Sequence, residues 1–304
     1  MERIKEFFLL IWNLLVVYFE IIRSWFESEN EPRDFYGKVI VLTGSAQGLG
    51  REMALRLNRL GGVRLALIDI DRNRNDELIE RLKTESPNAD IIGYECDLSD
   101  SSDIDFCCGQ ILKHFGRVDI LINNAGIVQC KSFLELEAKD IRRTFDVNVF
   151  AHFWLIKQFL PGMIDRGTGH IVAIASACGL SGKANLVDYC AAKHAVVGMM
   201  TAFDCELRQL NLDQQIRLTT VCPITIATGM FRYPTTRFSS LLPILSPDKV
   251  AKTIIDTIRK SDPSSTFLIT IPSYTYWLIL IEKMIPRKAF AFIDQYLSYQ
   301  VGKH

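Results

Sequence analysis

Short apolar runs, of the kind found in strands buried on both faces, alternate along this chain with stretches of helical periodicity. That alternation leaves few folds open. The runs occupy residues 39–42, 63–70, 91–96, 118–122, 171–175, 217–222 and 266–271, and helical patterns include 51–60, 138–166, 189–210 and 248–260. Seven strands separated by helices predict an α/β domain over residues 37–271, built on one doubly wound parallel seven-stranded sheet with helices on both faces. Clefts in such sheets lie beyond the strand carboxyl ends, where Gly44, Asp69, Asp97, Asn124, Ser176 and Pro223 all fall.

The residues at those ends have chemistry in common. The first strand runs into Thr43-Gly44-Ser45-Ala46-Gln47-Gly48-Leu49-Gly50 and then a helix. Glycines in that position let the backbone approach a pyrophosphate at a helix N-terminus, which makes Gly44, Ser45, Gly48, Leu49 and Gly50 candidate cofactor contacts. The spacing departs from GxGxxG; the strand–turn–helix context is the expected one. Asp69, nineteen residues past Gly50, ends the second strand. A carboxylate there suits the two ribose hydroxyls of NAD and repels a 2′-phosphate, the plainer alternative being a strand-end turn residue. Arg72 and Arg74 leave room for NADP. Asp97-Leu98, after the third strand, is placed to meet an adenine ring. Tyr189 and Lys193 lie one helical turn apart, so phenol and ammonium can address one point. A lysine charge favours the phenolate and prepares a tyrosine for proton exchange with an alcohol or ketone. Ser176, delivered by the fifth strand, can hydrogen-bond the same substrate oxygen. Alone, Tyr-x-x-x-Lys arises by chance and usually marks a solvated face.

Charge and cysteine content exclude other classes. The 35 basic and 35 acidic residues balance without a basic block, which argues against nucleic acid as a partner. The eight cysteines show no CxxC pair and no metal-ligand spacing with the five histidines, so no metal site and no disulfide framework are expected. Reduced thiols fit a cytosol-like compartment.

Residues 1–28 are different in kind. Residues 7–19 are apolar except for Asn13, and Glu6, Asn13 and Glu20 recur at intervals of seven on one narrow stripe. The run is short for a span, and no small-residue cleavage site follows it. The reading preferred here is an uncleaved membrane anchor, interfacial or tilted, with a packed core helix as the alternative. Residues 29–36 read as a linker. Residues 272–304 form an amphipathic segment, where Tyr274, Tyr276, Trp277, Leu278, Ile279, Leu280 and Ile281 precede Lys283, Arg287 and Lys288. Aromatics beside basic residues suit a membrane interface, and a lid, a core helix or a dimer contact are the other options. The loop over 229–246, with Phe231, Tyr233, Phe238, Leu241 and Leu242, reads as a lid over an apolar substrate.

Taken in order, Thr43-Gly-x-x-x-Gly-x-Gly50, Asn123-Asn-Ala-Gly126, Asn148, Ser176 and Tyr189-x-x-x-Lys193 resemble the short-chain dehydrogenase/reductase family over residues 36–271. The resemblance implies a Rossmann-type fold and NAD(P)-dependent hydride transfer. It also implies site roles: Tyr189 as acid/base, and Lys193 lowering its pKa and holding the nicotinamide ribose. Ser176 would position the substrate oxygen, and Asn148 support a proton relay. Asn124, Ala125 and Gly126 would form the cofactor floor, Asp97 and Leu98 the adenine site, with Pro223 and Thr228 near the carboxamide. The family usually has Pro-Gly where this chain has Pro223-Ile224, and a side chain at 224 could crowd that pocket. The hydrophobic N-terminus, 148–154, 169–172 and Cys222-Pro223 are similar to a narrower group: membrane- and lipid-droplet-associated 17-beta-hydroxysteroid dehydrogenases and epidermal-type retinol dehydrogenases. That likeness implies a homodimer on the endoplasmic reticulum membrane or a lipid droplet, its catalytic domain facing the cytosol. It implies oxidation of a retinol, steroid or long-chain alcohol with NAD. The alternatives are a surface scaffold with a nucleotide-binding fold and an NADPH-dependent carbonyl reductase. The complete Ser176, Tyr189, Lys193 and Asn148 set argues against the scaffold, and Asp69 against the NADPH reductase.

Overall fold

A computed structural model describes residues 32–231, 236, 237, 239, 240, 242–260, 267–286, 288 and 289, together with 5, 8, 9, 11, 12, 15 and 16. Its seven strands are β1 (Val39–Thr43), β2 (Arg64–Asp69), β3 (Ile91–Glu95), β4 (Ile120–Asn123), β5 (Gly169–Ile174), β6 (Ile216–Pro223) and β7 (Leu268–Ile271). They form one sheet in the order β3-β2-β1-β4-β5-β6-β7, every neighbour parallel. The order reverses between β1 and β4, the switch point at which sheets of this kind bind ligands beyond the strand carboxyl ends.

Side-chain alternation divides the core into two layers. Val39 and Val41 of β1 face one layer, Ile40 and Leu42 the other. The first layer is closed by α3 (Ser101–Phe115), α5 (Ala151–Asp165) and α6 (Val187–Gln209), through residues such as Ile104, Leu155 and Val196. The second is closed by α1 (Gly48–Arg59), α2 (Arg72–Glu85) and α7 (Pro247–Ile258), through Met53, Leu78 and Ile254. Helix α4 (Ala138–Phe145) precedes α5, and α8 (Thr275–Met284) follows β7. Asp119 ties the sheet centre together: its Oδ2 accepts the Val39 amide at 2.8 Å, and Arg117 forks onto both carboxylate oxygens.

Two sequence expectations change. The pattern over 138–166 is not one helix, because a π-helical turn, Asp146–Phe150, separates α4 from α5. The end of the linker at 29–36 is packed rather than loose: Phe35 is buried, the Arg33 amide donates to the Arg259 carbonyl at 2.7 Å, and Arg259 Nε donates back to the Arg33 carbonyl at 3.1 Å. Among the described residues no helix is long and apolar enough to cross a membrane. Most of the anchor segment 1–28, the lid residues Tyr233, Phe238 and Leu241, and the tail after residue 289 lie outside the described residues.

Candidate active site

The turn between β1 and α1 opens the site. Gly44 and Gly48 have φ of +66° and +56°, a left-handed backbone that glycine adopts without strain. A Cβ on Gly44 would sit 2.8 Å from Ala125 Cα, and one on Gly50 would collide with the Gly44 carbonyl. Glycine therefore keeps this cradle bare at the N-terminus of α1, the arrangement a pyrophosphate requires. Thr43 and Asn124 zip the cradle to the loop after β4. Thr43 Oγ1 accepts the amides of Asn124 and Ala125, both at 3.0 Å, and Asn124 Nδ2 donates to the Thr43 and Gly44 carbonyls at 2.9 and 3.1 Å. The side chains of Ser45 and Leu49 turn inward: the Ser45 hydroxyl donates to Asn75 Oδ1 at 2.8 Å and Leu49 joins the core. Only their main chains are left for a cofactor.

At the end of β2, Asp69 Oδ2 accepts the Ala46 amide at 2.9 Å and Oδ1 the Asp71 amide at 3.0 Å. Each oxygen retains a lone pair, so the carboxylate can fix the glycine turn and still accept ribose hydroxyls. Arg74 Nη1 donates to Gln47 Oε1 at 2.8 Å, which places a guanidinium at the rim of the same turn. Burial alone would raise the Asp97 carboxyl, but the Ser99 hydroxyl (2.7 Å) and amide (2.9 Å), with Arg143, hold it below its ordinary range. Leu98 is buried beside it.

The reactive end is built by several elements. Asn148 lies in the π-helical turn and is fully buried; its Oδ1 accepts the Ile127 amide and its Nδ2 donates to the Ile127 carbonyl, both at 2.8 Å. Gly126 fits between Asn148 and Lys193, since a Cβ there would be 3.2 Å from Asn148 Oδ1 and 3.6 Å from Lys193 Nζ. Lys193 donates to the Ile174 carbonyl at 2.8 Å and sits 5.7 Å from the Tyr189 ring centroid. Burial pushes its ammonium down to about 8. Ser176 follows β5, and its Oγ accepts the Cys178 amide at 3.1 Å. Tyr189 is buried, with Phe231 edge-on at 5.8 Å. Thr228 presses on the cradle, 3.0 Å from where a Gly48 Cβ would be. Pro223 pairs with Ile271, and the Ile224 amide continues that pairing to the Ile271 carbonyl at 3.0 Å.

One electrostatic expectation is reversed in the protein by itself. Burial, then the neighbouring Cys178, pushes the Tyr189 phenol well above its ordinary range, and the Ser176 hydroxyl opposes this only in part. Adjacency to Lys193 does not offset desolvation. His152, which the motif reading passed over, lies one turn beyond Asn148 at i+4 and is buried with neither ring nitrogen hydrogen-bonded within the protein. Burial and the Lys193 charge drive it down to about 3, so it is neutral at working pH and supplies no proton. Asn123, also buried without a side-chain partner within the protein, was visible only as part of the Asn-Asn-Ala-Gly stretch. Among the described residues no group of three or more His, Cys, Asp or Glu could hold a metal.

The model of the "short chain dehydrogenase" family matches residues 38–237, the segment that carries every feature just described from β1 through Thr228. The chain belongs to the short-chain dehydrogenase family. This short-chain dehydrogenase is 36% identical to mouse (Mus musculus) epidermal retinol dehydrogenase 2 over 299 residues, covering 98% of the chain and 94% of that protein. It is 31% identical to human (Homo sapiens) 17-beta-hydroxysteroid dehydrogenase 13 over 300 residues, covering 99% and 96%. Among solved structures it resembles a short-chain dehydrogenase/reductase from Burkholderia phymatum in complex with NAD, at 26% identity and a TM-score of 0.69 over 89% of this chain and 98% of that one. A metagenomic short-chain oxidoreductase in complex with NADP aligns with a TM-score of 0.64 at 26% identity, covering 78% and 96%. The protein is an oxidoreductase of this family, with the Rossmann-like fold its sequence implied.

Proposed function

We propose that the protein oxidises a lipophilic alcohol (a retinol, a steroid or a long-chain alcohol) with NAD, the hydroxyl proton passing to Tyr189. The observation that carries this reading is the setting of Tyr189: a phenol beside Ser176 and Lys193, packed in an apolar cluster with Leu186, Val128, Cys130 and Phe231. The relatives named for retinol and 17-beta-hydroxysteroids support the substrate class. The cradle at Gly44, Gly48 and Gly50, Asp69, the Asp97-Leu98 pair, Asn124–Gly126 and Thr228 would hold the dinucleotide, with Lys193 reaching its ribose. Bound in its oxidised form, nicotinamide supplies the hydride acceptor and a positive charge.

The rest is work for this chain. Ser176 uses its lone pair on the Cys178 amide, which leaves its hydroxyl free to hold the substrate oxygen. Tyr189 takes the proton as phenolate. Lys193, ionised at neutral pH, favours that form once further positive charge offsets the burial of the phenol. Asn148 keeps the Ile127 loop beside Lys193 and so preserves the route by which the proton leaves. Asp69 selects NAD by repelling a 2′-phosphate; Arg74 at the rim of the turn is the feature that favours NADP and the reductase direction as a second reading.

Membrane association is part of the proposal. On α8, Trp277, Ile281 and Met284 form one exposed stripe at i, i+4 and i+7, with Lys283 beside it. Phe8, Leu9, Trp12 and Leu15 are exposed near the N-terminus. The surface proposed is the endoplasmic reticulum membrane or a lipid droplet. Exposed Phe150, at the end of the π-helical turn, and Phe153 and Trp154 of α5 suit a homodimer. The test is cofactor reduction by the lipid-reconstituted protein with retinol, steroids and fatty alcohols, each with NAD and with NADP. Turnover of one class with NAD supports the reading; turnover only with NADP, or only of small polar alcohols, refutes it.

A further inference from the structure

Three cysteines stand around the reactive tyrosine, and the proposed chemistry uses none of them. Cys178 lies in the short 3-10 turn Ala177–Gly179, and its amide holds Ser176 Oγ. Cys190 follows Tyr189 directly, in the first turn of α6, its amide bonded to the Leu186 carbonyl at 2.7 Å. Both pack with Cys130, Leu186, Val128 and Phe231 in the apolar cluster around Tyr189. Cys178 packs against the buried cluster that holds Cys190, and the two thiols interact, as do Cys190 and the Lys183 main chain. No disulfide joins any of the eight cysteines.

We propose that Cys190 and Cys178 form a reactive dithiol at the substrate face of the active site that is oxidised by hydroperoxides to an intramolecular disulfide. The roles divide by environment. Cys178 first, then the Lys183 main chain and charge, lower the Cys190 thiol against the opposing effect of burial and so favour its thiolate. The same contact and burial push Cys178 up, which keeps it a thiol. A second buried pair is Cys96 and Cys107, where Cys107, burial and nearby Asp103 and Asp97 push Cys96 up.

The chemistry balances. The Cys190 sulfur attacks one oxygen of ROOH, the O–O bond breaks, and the alcohol ROH leaves with a proton; Cys190 becomes a sulfenic acid. The Cys178 sulfur then attacks the Cys190 sulfur, the S–O bond breaks, and water leaves with the Cys178 proton. Two thiols supply two electrons, and the peroxide accepts them. An S–S bond of about 2.05 Å is far shorter than the contact distance of two unbonded thiols, so closing it draws the residue after Tyr189 towards the turn after Ser176. Misplacing reacting groups by about 1 Å costs on the order of 10²-fold in rate. The disulfide is therefore expected to silence the dehydrogenase, reversibly.

The test uses the full-length, lipid-reconstituted protein treated with hydrogen peroxide or cumene hydroperoxide, then mapped by non-reducing peptide mass spectrometry. A Cys178–Cys190 cross-linked peptide lighter by two hydrogens is expected, with at least a tenfold loss of activity that dithiothreitol restores. In Cys178→Ser, which lacks the resolving thiol, dimedone should label Cys190. Cys190→Ser should retain its own untreated activity after peroxide. Both residues still open to alkylation in treated wild type, with no dimedone label on Cys190 in Cys178→Ser, would overturn the proposal. Because the mapping does not require turnover, it reads the dithiol whether or not the alcohol substrate proposed above is correct.

Discussion

Asn148 holds Ile127 by two hydrogen bonds of 2.8 Å, one to its amide and one from its side chain to the Ile127 carbonyl. The clamp joins the loop after β4 to the π-helical turn and fixes Gly126 between Asn148 and Lys193. Each end of the Asn148 amide makes one bond to the loop it positions, with one lone pair and one N–H remaining.

Asn148→Ala leaves two main-chain groups of Ile127 unpaired in a closed site. The expected loss is about 2–4 kcal/mol of stability, with a fall in kcat beyond what unfolding explains. Urea unfolding alongside turnover of the folded fraction checks both. An unchanged midpoint would show that the clamp is dispensable.

Gly44→Ala puts a Cβ 2.8 Å from Ala125 Cα at a residue with φ of +66°. Strain of about 1–2 kcal/mol in the cradle is expected to weaken cofactor binding by roughly tenfold or more. Titration of NADH fluorescence reads this directly, and an unaltered dissociation constant would separate the turn from the cofactor.

Asp69 both fixes the turn and carries the charge proposed to select NAD. Asp69→Asn should weaken both cofactors by loosening Ala46, yet raise the ratio of kcat/KM with NADP to that with NAD at least severalfold. The ratio cancels the shared structural loss. A constant ratio would leave Asp69 with the turn alone.

His152 and His170 are buried and neutral, each driven down to about 3 from 6.5: by burial first, then by Lys193 for His152 and by Arg33 and Arg217 for His170. Between those values the unfolded chain binds more protons than the folded one. Their stabilisation is therefore complete above pH 6.5 and declines as pH falls towards 3, with a slope of up to about 1.4 kcal/mol per pH unit for each. Urea midpoints at pH 7.5, 6.5, 5.8 and 5.0 should fall steadily in the wild type. They should fall less in His152→Gln and His170→Gln; equal slopes would contradict the assignment.

How far the molecule was legible depended on the kind of interaction. The strands were readable because burial on both faces leaves continuous apolar runs, as in Val39–Thr43 with all five residues buried. The π-helical turn was not, because helical periodicity runs on through Asp146–Phe150 and the partner of Asn148 within it, Ile127, lies 21 residues away. Motif spacing located Ser45 and Leu49 but not the direction of their side chains, which Asn75 and the core decide. Phe35 was hidden among the polar residues of the linker. The Tyr189–Lys193 spacing was plain, but the electrostatic outcome depends on burial, which no i to i+4 relation reveals.

The central claim is that Tyr189 moves the substrate proton in a nicotinamide-dependent oxidation. Its most direct test is Tyr189→Phe, compared with wild type for NADH formation from the best alcohol and for NADH binding. The predicted result is a loss of kcat of about 10²-fold or more, with the dissociation constant for NADH changed less than severalfold. Turnover by the phenylalanine variant within a few-fold of wild type would contradict the account.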